Sequence, residues 1–219
     1  MPLTVGTRVV ISGLLAAILA MGYVTFIATP PGPRSIRVFD ADRVADLELD
    51  MWQAYYAHQK FRLFRDLVTS LHEQYRYPWA KATTAGFHLA RAAAMFADLK
   101  SNYDQVLPDL ERAYTTAREW NHATFDPAVV ARAELAWWVA RRVPGEDSPE
   151  HVGALIAEVN AMLYDLPRAR VLDASTLRAR AGKLRDDGDT HADWATVSQL
   201  LHQSYRDLHA ACVDQGARR

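Results

Sequence analysis

Glu134 stands in a stretch, Ala128-Val-Val-Ala-Arg-Ala-Glu-Leu-Ala-Trp-Trp-Val-Ala140, that is apolar nearly all round. A helix of that kind is buried on most faces. A buried carboxylate must be paired, hydrogen-bonded or protonated, because an isolated buried charge is prohibitively costly. Its candidate partners are His88 and Arg91, three apart on an Ala-rich helix, with Thr84 on the same stripe. Glu48 sits in comparable company, sharing a stripe with Met51, Trp52, Tyr55 and His58.

In both places Glu precedes Trp by four, Glu48 to Trp52 and Glu134 to Trp138. That spacing stacks the pair on one helix face. The octets Ala45–Trp52 and Ala131–Trp138 share four identities at a separation of 86 residues. So short an echo also arises by chance in Ala- and Leu-rich helices. The candidate ligand-binding set is therefore Glu48, Trp52, His88, Arg91, Glu134 and Trp138: a polar pocket inside a bundle, able to hold a small ligand or move a proton. The competing reading is a buried network of salt bridges and hydrogen bonds that fixes helix register. Pairs of this kind in helical domains are more often structural than catalytic, and no catalytic residue is assigned.

Other patterns are weaker. A di-iron bundle needs two Glu-x-x-His motifs and a Glu from each of two further helices; only Glu119-Trp-Asn-His122 has the spacing. His202, Tyr205, His209 and Cys212 form a stripe that could ligate zinc or haem. It borders the apolar stripe Trp194, Val197, Leu201, Leu208 and Ala211, and so reads as the flank of a packed face. No metal and no cofactor are expected. Arg168, Arg170, Arg178, Arg180, Lys183 and Arg185 form a basic cluster that could rest on anionic headgroups at up to roughly 1 kcal/mol each, or pair with acidic neighbours. No nucleic-acid recognition motif accompanies that charge. Gly-rich phosphate loops, Gly-x-Ser-x-Gly, His-Glu-x-x-His and paired Cys-x-x-Cys are missing, as is a 34-residue repeat.

The elements that must position these residues read as helices throughout, with no strand-like alternation. Stripes Val44, Leu47, Met51, Tyr55 and Phe64, Leu67, Leu71, Tyr75 predict one long helix from Asp40 to before Pro78, with a register shift and room for a bend at 57–60. A second helix runs over 79–100, with Gly86 allowing close approach. A third covers 102–121 with Pro108 near its first turn. Asp126-Pro127 and Ser148-Pro149 open the next two, to about Arg142 and Tyr164. Pro167 opens a sixth to about Arg185, Asp186–Asp189 forms a turn, and Thr190-x-x-Asp193 resembles a capping box for a last helix to about Val213.

Ahead of these lies Val9 to Ala28, twenty residues without a charge. At 1.5 Å per residue such a run spans roughly 30 Å of hydrocarbon. A cleaved signal peptide would need a small-x-small site, and Ala20-Met-Gly22 would leave an apolar new terminus. An uncleaved anchor is expected, and Arg8 before it against Arg34, Arg37 and Arg43 after it lean weakly towards a cytoplasmic domain.

The expected architecture is all-α: an N-terminal single transmembrane helix followed by an antiparallel bundle of about six to seven helices. Its divisions are a short tail 1–8, an anchor 9–28, a stiff Pro-rich linker 29–39, a helical domain 40–213 and a disordered tail 214–219. With 25 basic and 26 acidic residues, no global field points to nucleic acid or an acidic substrate. One cysteine, Cys212, excludes an intramolecular disulfide. The abundance of Arg and Ala is common in bacteria with GC-rich genomes.

The functional expectation is a single-pass, membrane-anchored interaction or scaffold module that docks a protein partner. The alternatives are a ligand- or cofactor-binding bundle built on Glu48, His88, Arg91 and Glu134, and an accessory subunit of a membrane complex, in which Gly13 and Ala17 allow close helix packing.

Overall fold

Helix starts are written locally. Asp40 Oδ1 accepts from the backbone N–H groups of Asp42 and Arg43, both at 3.1 Å. Asp126 Oδ1 accepts from Ala128 at 2.8 Å, with Pro127 in the first turn, and Ser148 Oγ accepts from His151 at 3.3 Å. Each satisfies a backbone donor that the first helical turn leaves unpaired.

The computed structural model describes residues 5–216. Among them the chain is all-α, with nine α-helices, two short 3₁₀ turns and no strand. The α-helices are α1 Val5–Phe26, α2 Ala41–Tyr56, α3 Lys60–Glu73, α4 Trp79–Asp98, α5 Leu107–Asn121, α6 Pro127–Ala140, α7 Pro149–Tyr164, α8 Arg168–Gly188 and α9 Trp194–Gly216.

The long helix expected over 40–77 is two helices. His58 adopts a left-handed φ of 55° between α2 and α3, and that turn resets the phase so that both out-of-register stripes can face one interior. A 3₁₀ turn, Tyr103–Val106, precedes α5, so the third helix starts later than expected. α8 continues through the expected turn to Gly188. Asp193 caps α9: its Oδ1 accepts from the Thr196 N–H at 3.1 Å and its Oδ2 from the Thr196 hydroxyl at 2.7 Å; the Thr190 side chain expected to share in a capping box lies outside the described residues. α9 also extends into the expected 214–219 tail; residues 217–219, like 1–4 of the expected 1–8 tail, lie outside the described residues.

From α2 to α9 each helix packs on the next, and α9 packs back on α2. The eight therefore close into a ring rather than a filled bundle. The closing seam carries Arg206 Nε on Asp42 Oδ1 at 2.7 Å and His202 Nε2 near Asp46 Oδ1 at 3.2 Å. The apolar core is distributed between neighbours: Val68, Ala85 and Trp120 join α3, α4 and α5, Ala92, Leu110 and Leu135 join α4, α5 and α6, and Ala45, Ala181 and Leu201 join α2, α8 and α9. Small residues tighten two seams. A Cβ on Gly86 would stand 2.7 Å from Val68 Cγ2, and one on Gly153 would stand 2.7 Å from Thr176 Cα.

The segment before α2 lies across one end of the ring. Arg37 donates to the Tyr164 carbonyl at 2.7 Å and to Asp165 Oδ2 at 3.0 Å. Phe39 packs against Tyr164, Tyr205 and His209 at centroid distances of 6.1, 6.4 and 5.2 Å.

Among the described residues no helix is long and apolar enough to cross a membrane. α1 is helical over Val5–Phe26, but side chains within it are described only over 12–24. That length falls short of the span expected over 9–28, and the rest of the expectation lies outside the described residues. α1 touches the ring at α4.

Candidate ligand-binding cavity

Every helix of the ring contributes to the wall of a cavity of about 530 Å³ at its centre. Glu48, Trp52 and Tyr56 come from α2, Leu67 from α3, Ala93 and Phe96 from α4, Tyr114 from α5, Glu134, Trp137 and Trp138 from α6, Asn160 and Tyr164 from α7, Arg178 and Asp186 from α8, and Tyr205 from α9. Two carboxylate-bearing Glu-x-x-x-Trp units thus face one space from α2 and α6.

Glu48 is 3 % exposed and fully engaged. Arg178 donates to its Oε1 from Nε at 2.8 Å and also from Nη2, while the Tyr205 hydroxyl donates to Oε2. The Arg178 side chain keeps 20 % of its surface accessible although it lies in the middle of the ring, so that surface belongs to the cavity. Burial opposes its charge, but the Glu48 carboxylate more than offsets this and raises its pKa. Guanidinium planes of Arg178 and Arg141 lie near the Trp52 ring at 5.8 and 5.6 Å and near the Trp137 ring at 4.8 and 6.0 Å, within cation–π range.

Glu134 has a different setting. Trp138 Nε1–H donates to its Oε1 at 3.0 Å, and the Tyr114 phenol lies beside it in the cavity wall. Burial first, and Glu134 second, push the Tyr114 phenol well above its ordinary pKa. Tyr75 and Tyr164 share the wall, and burial raises the pKa of both phenols.

The exposed residue of the lining, Arg142, lies at the end opposite the 29–39 segment and marks the mouth. There Arg141 donates to Asp186 Oδ2 and the Tyr56 hydroxyl, both at 2.7 Å. The exposed Arg142 lies 3.8 Å from the Phe96 ring centroid and donates to the Leu99 carbonyl at 2.9 Å. Tyr56, Phe96, Arg141 and Asp186 sit at or near the C-terminal ends of α2, α4, α6 and α8, so four helix C-termini surround the mouth.

Of the six residues singled out from sequence, Glu48, Trp52, Glu134 and Trp138 come together at this cavity, and His88 and Arg91 do not. His88 Nδ1 lies 2.7 Å from Asp109 Oδ1 and Arg91 Nε donates to Oδ2 at 2.6 Å. Asp109, in the first turn of α5, is 1 % exposed. Burial opposes its ionisation, but the hydrogen bonds from Arg91 and His88 prevail and hold its carboxyl below the usual range. These three residues clamp α4 to α5.

The stripe His202, Tyr205, His209 and Cys212 disperses to Asp46, Glu48, Phe39 and the apolar core. Among the described residues no three His, Cys, Asp or Glu side chains gather as a metal site. The basic residues of α8 each meet a carboxylate: Arg168 with Glu158, Arg170 with Asp214, Arg178 with Glu48, Arg180 with Glu150, Lys183 with Asp147 and Arg185 with Asp186.

Sequence reasoning left out Tyr114, Arg141, Asp186 and the inward role of Arg178. Arg178 did carry a signal: it interrupts the buried small-residue face Val171, Ala174, Ser175, Ala181 and Gly182, as Glu134 interrupts α6. Comparison with protein families, characterised proteins and solved structures gives no match to this chain.

Proposed function

We propose that this chain is a membrane-tethered binding domain that encloses a small molecule at the centre of its helical ring. The observation that carries the reading is the 530 Å³ cavity lined from all eight ring helices, a size within the range of roughly 300–1,000 Å³ of ligand pockets. Ion pairs such as Glu48–Arg178 and Arg141–Asp186 stabilise a fold less than well-packed apolar residues of the same volume. Polar groups retained around open space fit recognition better than packing. With Glu48 committed to Arg178 and Tyr205, the wall is suited to holding a ligand, and the proposal is binding rather than catalysis.

Native mass spectrometry of the full chain tests this. A bound small molecule at one per chain is expected, and Ala93→Phe, which fills the cavity, removes it. A ligand-free wild type whose fold Ala93→Phe stabilises would overturn the reading.

The tether rests on α1. Leu14, Leu15, Ile18, Leu19, Met21, Tyr23 and Val24 are 57–70 % exposed, a continuous apolar surface that water does not favour. Residues 9–28 are proposed to anchor the domain in a bacterial cell membrane. Alkaline washing of membranes should leave the full chain in the pellet; release into the wash overturns the tether.

A second reading, a module that docks a protein partner, draws on Phe61 and Phe87, 79 % and 50 % exposed on α3 and α4. Phe61→Ser with Phe87→Ser should then abolish partner binding while leaving the cavity ligand in place.

A further inference from the structure

We infer that the cavity takes an organic cation, an amine with an apolar body, and that its ammonium group sits on Glu134. The inference rests on the binding reading above and deepens it. Two charge pairs in the wall are already matched inside the protein: Glu48 with Arg178, and Asp186 with Arg141. Arg185, outside the lining, adds a second cation to Asp186. Glu134 is the remaining wall carboxylate. Among the described residues it takes part in no ion pair; its hydrogen-bond donor is the neutral Trp138, the Tyr114 phenol stands beside it in the wall, and Arg178 acts on it only at longer range.

A carboxylate in a low-dielectric enclosure favours a cation in contact with it. The walls beside it supply the second half of the recognition. Trp138, Tyr114 and Trp137 present aromatic surface next to the carboxylate, and the Phe96 and Trp138 rings meet edge to face at 5.2 Å. Aromatic faces attract ammonium groups most strongly where water is excluded. Leu67 and Ala93, from α3 and α4, give the wall an apolar stretch, suited to an uncharged body.

The mouth has the matching polarity. C-terminal ends of α2, α4, α6 and α8 surround it, and each presents the negative end of a helix dipole. They offset Arg142, which is drawn aside onto Phe96 at 3.8 Å.

The test uses the full chain in phosphatidylcholine nanodiscs, with empty discs as the blank. Three matched probes are titrated by calorimetry at pH 7: 2-phenylethylammonium, 2-phenylethanol and 3-phenylpropionate. The ammonium compound is expected to bind at least tenfold more tightly than either of the others. Glu134→Gln, which keeps an acceptor for Trp138, should remove that preference, whereas Tyr114→Phe, which keeps the charge, should retain it. Equal affinity for the three, preference for the carboxylate, or an unchanged preference in Glu134→Gln overturns the cation assignment. In those cases loss of binding in Ala93→Phe still upholds the cavity. Failure of all three probes to bind saturably overturns both readings. Should Glu134→Gln fail to fold, as judged by its helical circular dichroism, the ranking of the three probes on wild type decides alone.

Discussion

Arg178 donates from two nitrogens to a single oxygen of Glu48, leaving the other oxygen to Tyr205. Three helices, α2, α8 and α9, are thereby joined at one carboxylate whose side chain is only 4 % exposed. Glu48→Ala leaves a guanidinium without its counter-charge, and removing one partner of a buried pair costs about 3–5 kcal/mol. Replacing both, Glu48→Ala with Arg178→Met, should cost less than Glu48→Ala alone. Urea unfolding of the four proteins in a double-mutant cycle measures this; a Glu48→Ala variant as stable as wild type would show the network to be dispensable.

Asp109 makes stability depend on acid. Its folded pKa is depressed, so its contribution is present above the unfolded value of about 3.9 and is lost as pH falls through the lower folded value. Asp109→Asn should therefore be less stable than wild type at pH 6, and the gap should narrow as the pH approaches 3. Denaturant midpoints of both proteins at several pH values give the slope. A constant gap would mean that the clamp on His88 and Arg91 works through shape rather than charge.

Cys212 is 4 % exposed, and burial lifts its thiol to about 11. Since the thiolate is the reactive form, the folded protein should react with an aromatic disulfide reagent only after unfolding. The labelling rate at neutral pH should track the unfolding rate as urea is raised. Immediate labelling in buffer would place Cys212 at an open surface.

Gly153 sets the spacing of α7 and α8. Alanine is ordinarily the better helix residue by up to about 1 kcal/mol, but a Cβ here would meet the Thr176 backbone at 2.7 Å. Moving backbone is costly, so Gly153→Ala should lose about 1–3 kcal/mol net. At Gly13 nothing lies within 4 Å of the same added atom, and Gly13→Ala should leave thermal unfolding of the ring unchanged.

Much of the helical layout could be read from the chain because its signals are local. Asp40, Asp126 and Ser148 announce helix starts through side-chain caps, and Glu48 and Glu134 stand out as carboxylates on apolar stripes. Their partners could not be read in the same way. On the Ala-rich α4 few large side chains define an inward face; the stripe that turns inward is Leu89, Ala93 and Phe96, which leaves His88 and Arg91 to α5. Asp109, which receives them, looks in sequence like an ordinary first-turn acid after Pro108. The bend foreseen at 57–60 is a full break, with a left-handed turn at His58 that lets the two stripes face one interior. The closure of α9 on α2 has no local signature at all, since it joins positions such as Asp42 and Arg206, 164 residues apart.

That closure also orders events during synthesis. Glu48 leaves the ribosome well before Arg178 and Tyr205, which follow 130 and 157 positions later. At translation speeds of about 5–20 residues per second, the nascent chain spends on the order of ten seconds or more as an open arc with this carboxylate in water. The compartment at its heart comes into being only when the final helix arrives, so a chain cut short before α9 lacks the wall that the proposed ligand site requires.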